Sequence, residues 1–323
     1  MMAWLATIDA VAGLAAEPAS ADASFRRYFR LQAAQQSFIV MDAPPPKEDC
    51  IPFVRIAGYL EAMQLAAPRI LEANVARGFL LLSDLGTQSY FTSMTVEPGS
   101  AAGLYTDAMR ALATLQANGS AYQSLLPAYD DTLLRFELSL FHDWLCQTHI
   151  GIQFSDADET HWQALCDLLV TNALEQAQVF VHRDYHSRNL MRLSENNPGM
   201  LDFQDAVEGP YTYDLVSLLK DCYLRWPAEQ VRRWALDYYA LLDDAPADRA
   251  TFLRQFELMG VQRHLKAAGI FARLNHRDGK TAYMADIPRT LQYIAELGPR
   301  YPQLDYVVAL INDKCLPALV PSA

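Results

Sequence analysis

The residues of this chain best suited to chemistry lie in one short polar segment. Residues 182–189 read H-R-D-Y-H-S-R-N and follow the apolar stretch V-F-V at residues 179–181. Asp184 leaves this predicted strand in a turn, where its carboxylate can orient and deprotonate a hydroxyl group. Asn189 supplies a neutral oxygen ligand of the kind that Mg²⁺ accepts. A carboxylate and a metal ligand together are what transfer of a phosphoryl group requires of a protein.

A second acidic residue follows this segment across a predicted β-hairpin. A predicted strand at residues 190–193 precedes the turn sequence N-N-P-G, and a second predicted strand then ends at Asp202. The hairpin would bring Asp202 to the end where Asn189 lies, so both can hold a metal that bridges phosphates. Alone, Asp or Asn beside a turn usually bonds its own backbone, but the order H-x-D-x-x-x-x-N, hairpin, D predicts a kinase. We interpret His182 as a residue that braces the loop.

Two predicted hairpins and several predicted helices surround this segment. Pairs of short apolar runs with turn residues between them predict the hairpins, and apolar spacing of three or four residues predicts the helices. The predicted strands cover residues 24–31, 37–41, 69–75 and 79–82, and the predicted helices lie within residues 1–16, 51–63, 101–178 and 213–323. Asp214 is predicted to cap the start of a helix.

Composition excludes several classes of protein. The chain has 323 residues, is 51% apolar and carries a net charge of −12, which argues against nucleic acid or an anionic membrane as a partner. Its five cysteines are odd in number and scattered, so they predict neither disulfides nor a zinc site and favour a reducing cytoplasm. The apolar N-terminus lacks Lys and Arg and contains Asp9, so we expect an amphipathic helix rather than a signal peptide.

The surrounding residues resemble one group of kinases more than others. Asp202 is followed by F-Q-D rather than F-G, and no A-P-E sequence or long activation segment follows, so the pattern resembles the aminoglycoside phosphotransferase/choline kinase superfamily. Further blocks are similar to the anomeric N-acetylmuramate/N-acetylglucosamine kinases of bacterial cell-wall recycling. These blocks are residues 24–30, 40–46, 79–86, 182–191, 201–210 and 259–266.

This resemblance implies an α+β, two-lobed, protein-kinase-like fold. We expect a small β-sheet N-lobe at residues 1–83 that binds nucleotide, and a mostly helical C-lobe at residues 84–323. The implied reaction uses ATP and Mg²⁺ to phosphorylate the C1 hydroxyl of an N-acetylated amino sugar. The alternatives are an aminoglycoside, choline or homoserine kinase, or a pseudokinase that binds nucleotide without transfer. The residues alone establish only a kinase of hydroxyl groups and leave the oligomeric state open.

Several residues are expected to contact nucleotide or acceptor. The expected nucleotide contacts are Ser24, Arg26, Met41, Ser83 and Leu85. The expected acceptor contacts are Arg188, for which the alternative is an exposed loop arginine, Asp205, for which the alternative is a loop cap, and Arg263 and His264 of the basic island described next. Met41 stands where many relatives carry a Lys or Arg that pairs with the phosphates, and the loop at residues 24–28 has no glycine. Arg26, Arg30 or Lys47 is expected to supply the missing charge.

A basic island interrupts the acidic chain at residues 263–289. It contains eight Arg, Lys and His side chains opposed by two Asp side chains. One interpretation is a solvated helix face, which such spacing often indicates. The other is a wall of the acceptor site that attracts an anion, such as the lactyl carboxylate of N-acetylmuramate. A site for polycationic aminoglycosides would instead be acidic, so the island favours a sugar.

Overall fold

Nine β-strands lie in residues 1–21 and 25–319, the parts of the chain that the computed structural model describes. The strands are β1 (Ala16–Ala21), β2 (Arg27–Gln32), β3 (Ser37–Asp42), β4 (Ile70–Asn74), β5 (Phe79–Ser83), β6 (Gln178–Val181), β7 (Leu190–Met191), β8 (Gly199–Met200) and β9 (Val207–Pro210). The two predicted N-terminal hairpins are confirmed as β2–β3 and β4–β5.

Helices make up most of the remaining chain. The α-helices are α1 (Met2–Leu5), α2 (Ile51–Ala62), α3 (Tyr90–Val96), α4 (Ala101–Gly119), α5 (Asp131–Leu140), α6 (Asp156–Leu174), α7 (Tyr213–Leu219), α8 (Ala228–Tyr239), α9 (Arg249–Asp278), α10 (Ile287–Ala295), α11 (Asp305–Leu310) and α12 (Leu316–Leu319). Two segments are π-helical, Phe141–Ile150 after α5 and Ile311–Cys315 after α11. Short 3₁₀ turns lie at Val75–Arg77, Pro98–Ser100, Gln123–Leu125, Thr281–Asp286, Gly298–Arg300 and Pro302–Leu304.

The chain packs into two compact units. Unit 1 comprises Met1–Gly119 and Arg188–Ala206, and unit 2 comprises Ser120–Ser187 and Val207–Ala323. Unit 1 contains a five-stranded antiparallel sheet of order β1-β2-β3-β5-β4 and the small β7–β8 hairpin. The functional boundary expected after residue 83 stays a prediction.

The N-terminal segment packs on this sheet but is not the helix that its apolar spacing predicted. Only Met2–Leu5 is α-helical, and tight turns with hydrogen bonds between residues three apart follow it. These turns preserve the three-residue spacing, so Leu5 and Val11 still reach a core formed with Val40 and Leu81. The chain then forms β1, which sequence did not predict because it contains Pro18 and no β-branched residue; Pro is tolerated there since β1 is an edge strand.

The β4–β5 connection depends on a glycine. Gly78 has φ +74° and lies against the end of β3, where its carbonyl accepts the Ala43 N–H at 2.8 Å. A Cβ atom at this position would lie 1.8 Å from the Ala43 carbonyl oxygen. Only glycine therefore permits this approach, which fixes how β5 leads to residues 83–86.

Unit 2 is built around the 30-residue helix α9. The antiparallel pair β6–β9 supplies its small sheet, and α5, α6, α7 and α10 all pack against α9. Gly269 of α9 meets the end of α5 so closely that a Cβ atom would lie 2.2 Å from the Leu140 carbonyl carbon. This crossing brings α5 and α9 together along their buried faces, which is where the charged side chains described below meet.

Two expectations from composition can be compared with the structure. All five cysteines are buried and free. Among residues 1–21 and 25–319, no helix has the length and apolar character that crossing a membrane demands.

Candidate active site

The candidate base lies in the loop that follows β6 in unit 2. Asp184 is half-buried, and its N–H donates to Nδ1 of the buried His182 ring at 3.3 Å. Its carbonyl accepts the His186 N–H at 3.0 Å. The ring of His182 thus braces the loop from inside, in agreement with the interpretation of the sequence.

The same loop is held from α7 by a buried carboxylate. Asp214 accepts the backbone N–H of His182 at 2.6 Å and that of Arg183 at 2.9 Å. The prediction that Asp214 caps the helix was wrong, because Thr212 occupies the capping position and Asp214 lies in the first turn. Buried amides need acceptors, and a carboxylate satisfies both of them at once. Asp214 therefore shapes the loop that presents Asp184.

Arg183 adopts a backbone conformation that such residues rarely tolerate. Its φ is +81°, in the left-handed region, and conformations of this kind persist only when neighbouring groups enforce them. Besides the amide bond to Asp214, Arg183 Nη2 donates to Glu137 Oε1 at 2.5 Å. Glu137 is buried on α5 and also bonds Lys266 Nζ at 2.9 Å and the Tyr129 hydroxyl. This cluster holds the loop in place.

Charge in unit 2 favours the ionised forms of both Glu137 and Asp184. Burial alone would raise the pKa of Glu137, but the positive charges of Lys266 and Arg183 outweigh it and lower the pKa to about 2. Burial would likewise raise the pKa of Asp184, but the charges of Lys266, His186 and two arginines hold it below its ordinary value. Asp184 is therefore ionised at neutral pH, as a proton acceptor must be.

The candidate metal ligands lie in unit 1, at the β7–β8 hairpin. The Leu201 N–H donates to the Asn189 carbonyl at 2.9 Å, and Asn189 Nδ2 lies 3.3 Å from Asp202 Oδ2. Asp202 has φ +60°, a conformation that Asp tolerates better than most residues, and its side chain is 38% exposed. The structure thus brings the two predicted ligands together at one end of the hairpin.

This pair suits a hard divalent cation held partly by a nucleotide. Mg²⁺ prefers oxygen ligands and is usually bound by one or two carboxylates together with phosphates and water. In the described part of the chain, no group of three or more His, Cys, Asp or Glu side chains forms a metal site. One carboxylate and one amide therefore match a cation that arrives with phosphates, and they do not match a zinc or calcium cage.

The predicted nucleotide residues in unit 1 fall into different environments. Met41 is fully buried in β3. Ser83 ends β5, where its Oγ accepts the Arg69 N–H at 2.9 Å, and Leu85 follows in the connecting loop. Arg26 Nη2 lies 3.5 Å from Asp202 Oδ1. Ser24 lies outside the described residues.

The predicted acceptor residues are also separated by the structure. In unit 1, Arg188 is exposed with its guanidinium 4.9 Å from the Phe91 ring centre, and Asp205 is exposed beside Gln204. In unit 2, Arg263 and His264 are both buried on α9. The solvated-face interpretation of the basic island is therefore wrong for Arg263 and His264.

His264 has a structural environment that makes stability depend on pH. Its Nε2–H donates to the Lys220 carbonyl at 2.9 Å, and its ring stacks on Tyr293 at 4.6 Å between centres. Burial lowers the pKa of His264 to about 3, from 6.5 in the unfolded chain. Between these pH values the unfolded chain binds a proton at His264 that the folded protein does not bind. The contribution of His264 to the free energy of unfolding is therefore fully present above pH 6.5 and is lost as the pH falls towards 3.

We expect protonation of His264 in the unfolded chain to lower the free energy of unfolding by about 2 kcal/mol as the pH falls from 8 to 5. His264→Phe should lose that part of the slope, while the exposed control His161→Phe should keep it. Urea denaturation of the three proteins at several pH values measures the difference. Equal slopes for wild type and His264→Phe would show that the buried ring is not the titrating group.

Comparisons with known proteins identify the family of this chain. A family model described as the phosphotransferase enzyme family matches residues 15–252, well over half of the chain. The chain belongs to this phosphotransferase family. Its members are enzymes that transfer phosphoryl groups, so the chain is a phosphotransferase and its fold is the two-lobed α+β fold of that family.

Curated relatives cover most of this phosphotransferase. A protein of Pseudomonas aeruginosa named N-acetylmuramate/N-acetylglucosamine kinase is 50% identical over 292 residues, which are 89% of this chain and 85% of the relative. A protein of Neisseria meningitidis with the same name is 40% identical over 318 residues, 96% of this chain and 93% of the relative.

Solved structures of the same fold are more distant in sequence. A choline/ethanolamine kinase family protein from Mesorhizobium loti has a TM-score of 0.66 at 16% identity and covers 95% of this chain and 97% of its own. An ADP-bound aminoglycoside phosphotransferase has a TM-score of 0.59 at 16% identity, with 89% and 95% covered. At such identities the likeness establishes the fold alone.

Two residues that support the loop were not predicted from the sequence. Glu137 and Asp221 are buried acids that hold the 183–187 loop, Asp221 by accepting the Ser187 N–H at 3.0 Å. A signal existed for Glu137, because it lies on the apolar face of α5 between Leu134 and Leu138. A carboxylate on such a face is rare unless it is paired.

Proposed function

We propose that this phosphotransferase uses ATP to phosphorylate the anomeric C1 hydroxyl of N-acetylmuramate, N-acetylglucosamine or both. The observation that carries the proposal is the 40–50% identity, over most of both chains, to relatives named for these two sugars. Similarity of this extent commonly preserves the reaction as well as the fold, whereas the distant solved structures support the fold only.

Asp184 is the proposed base. In the transfer, the proton of the sugar hydroxyl passes to the Asp184 carboxylate while the hydroxyl oxygen forms a bond to the γ-phosphorus. The bond from that phosphorus to the bridging oxygen of ADP breaks, and ADP leaves with the electron pair. The lowered pKa of Asp184 keeps its carboxylate ready for this proton at neutral pH.

Asn189 and Asp202 are the residues proposed to hold the cation. Mg²⁺, when bound, neutralises phosphate charge. Asn189 would contribute its amide oxygen and Asp202 its carboxylate, and the 3.3 Å contact of Asn189 Nδ2 with Asp202 Oδ2 supports the proposal because it brings the two side chains together. The residues around Ser83 and Leu85 are proposed to receive the adenine through backbone groups at the end of β5.

Arg263 is the proposed contact for the lactyl carboxylate of N-acetylmuramate. The arginine is buried, its Nη1 lies 3.7 Å from Cys222 Sγ, and its Nε has no hydrogen-bond partner within residues 1–21 and 25–319. A buried guanidinium with an unsatisfied donor gains much from a carboxylate partner. His264, Arg188 and Asp205 are further proposed acceptor residues.

Arg263→Met is expected to raise KM for N-acetylmuramate about tenfold or more and to leave KM for N-acetylglucosamine within about twofold, because only the first sugar carries the carboxylate. Steady-state assays with both sugars measure the two ratios. Arg289→Met is the matched control from the same basic island, since Arg289 bonds the backbone carbonyls of Cys222 and Tyr223 instead. If KM rose equally for both sugars, Arg263 would not be the contact for the lactyl carboxylate.

Product analysis by ³¹P NMR tests the whole proposal. The protein is incubated with Mg-ATP and N-acetylmuramic acid, then separately with N-acetylglucosamine. A sugar 1-phosphate signal that Asp184→Asn does not produce is the expected result. If neither sugar reacts but choline or an aminoglycoside does, the chain is a phosphotransferase for another acceptor. If ATP is untouched with every hydroxyl acceptor, it is a pseudokinase.

The proposal includes a cytoplasmic location and a small-molecule partner. ATP and a reducing environment for five buried free cysteines both fit the cytoplasm. The net charge of −12 gives no attraction to nucleic acid or to anionic lipid.

A further inference from the structure

A cation for the nucleotide phosphates must come from outside β3, because Met41 is buried there and carries no charge. Kinases commonly pair the phosphates with a lysine that a glutamate holds in place. This inference rests on the nucleotide-binding part of the proposed function. It concerns only residues of unit 1.

Three basic side chains of unit 1 already bind other groups. Arg27 pairs with Asp42 at the edge of the sheet. Arg30 donates to Asp84 at 2.6 and 3.0 Å and to the Gly86 carbonyl at 2.9 Å. Lys47 lies over the Phe25 ring at 4.5 Å. Arg27 and Arg30 therefore pair with Asp42 and Asp84, and neither of these acids is a candidate metal ligand.

Arg26 lies in a different environment. Its side chain is 10% exposed, and its Nη2 lies 3.5 Å from Oδ1 of the candidate metal ligand Asp202. On the other side, its Nε lies 3.9 Å from Glu48 Oε2. The second oxygen of Glu48 accepts the Phe25 N–H at 2.9 Å. Glu48 thus holds both the guanidinium of Arg26 and the backbone next to it.

We propose that Arg26 is the phosphate-binding cation of this enzyme and that Glu48 positions it. The pair performs the task of the lysine and glutamate of other kinases, with the cation moved from β3 to the residue before β2. A guanidinium binds phosphate oxygens in a forked geometry, so Arg is suited to this task.

The contact with Asp202 has a consequence for metal binding. Without nucleotide, the Arg26 charge offsets the Asp202 charge and weakens the attraction for a free divalent cation. Phosphates draw the guanidinium to themselves and add their own negative charge to the site. Cation and nucleotide are therefore expected to bind together, while either alone binds weakly.

Binding measurements without any sugar test this inference on the full-length protein. Calorimetry with ADP in the presence of Mg²⁺, and with adenosine, separates phosphate contacts from adenine contacts, and EPR of Mn²⁺ measures cation binding without nucleotide. In Arg26→Met we expect the Kd for ADP to rise about tenfold or more, the Kd for adenosine to stay within about twofold, and the Kd for free Mn²⁺ to fall several-fold.

Two further variants complete the design. Glu48→Gln keeps an acceptor for the Phe25 N–H but loses the charge, so it should weaken ADP binding by a smaller factor and leave adenosine binding unchanged. Arg27→Met, whose partner is Asp42, is the matched control and should behave as wild type.

The binding constants of the variants distinguish a phosphate-binding Arg26 from one that only supports the fold. Equal losses for ADP and adenosine in Arg26→Met would mean that the residue only supports the fold, and unchanged ADP binding would overturn the assignment. If Glu48→Gln bound ADP as tightly as wild type, Glu48 would not position Arg26. If the wild-type protein binds neither ADP nor adenosine, the nucleotide part of the proposed function has failed instead.

Discussion

Asp184→Asn is expected to lower kcat by roughly a thousandfold, which corresponds to about 4 kcal/mol of transition-state stabilisation. Asn has nearly the same shape as Asp but cannot accept the hydroxyl proton. Since Lys266, His186 and Arg263 remain beside the loop, sugar binding should be retained, and KM for the sugar should stay within about threefold of wild type. Steady-state kinetics of ADP release measures both parameters.

The control for this variant is Asp237→Asn, which neutralises an exposed carboxylate on α8. It should retain wild-type kcat, because the helix surface takes no part in the reaction. A kcat for Asp184→Asn within tenfold of wild type would contradict the assignment of Asp184 as the base. Loss of sugar binding in that variant, measured by calorimetry, would instead assign the carboxylate to substrate contact.

Asp202→Ala should have the second largest effect, a fall in kcat of roughly a hundredfold or more. The variant removes the only carboxylate of the proposed metal pair and leaves Asn189 alone. A weakened cation site should be partly restored by excess metal, so the Mg²⁺ concentration at half-maximal rate should rise. Titration of the rate with Mg²⁺, and again with Mn²⁺, provides the measurement.

Asp107→Ala is the matched control, because it removes another carboxylate from the unit that contains Asp202. Asp107 accepts the Asn197 Nδ2–H at 2.9 Å, and so binds the turn of the hairpin rather than the end proposed to hold the cation. This variant should turn over like wild type with the same Mg²⁺ requirement. If Asp202→Ala kept the wild-type Mg²⁺ requirement, the cation would have to be held elsewhere.

Much of the fold was predictable because its signals are local. Alternating and helical apolar spacing predicted the β2–β3 and β4–β5 hairpins and helix α2, and all three are present. The family was also predictable, because Asp184, Asn189 and Asp202 occur in the order that phosphoryl transfer uses. The turn N-N-P-G correctly placed β7 and β8, which bring Asn189 within reach of Asp202.

The supporting contacts were not predictable, because their partners are far apart in the sequence. Asp214 binds amides 31 and 32 residues away, and Glu137 binds Arg183 over 46 residues. The local pattern of Asp214 does not distinguish a helix cap from a buried anchor, and that of Glu137 indicates burial on the apolar face of α5 without indicating its partners. The basic island was misleading for the same reason, since burial of Arg263 and His264 depends on how α9 packs rather than on their spacing.

The shared bonds of Glu137 also constrain how this enzyme can change. One carboxylate serves Arg183, Lys266, Tyr129 and Gln262 at once, so exchange of any single member leaves the others with a buried, unmatched group. Substitutions within this cluster are tolerated only in combinations, and their effects do not add. Laboratory evolution towards a new sugar will therefore progress fastest by varying exposed residues, such as Arg188 and Asp205, while Glu137 and its partners are kept together.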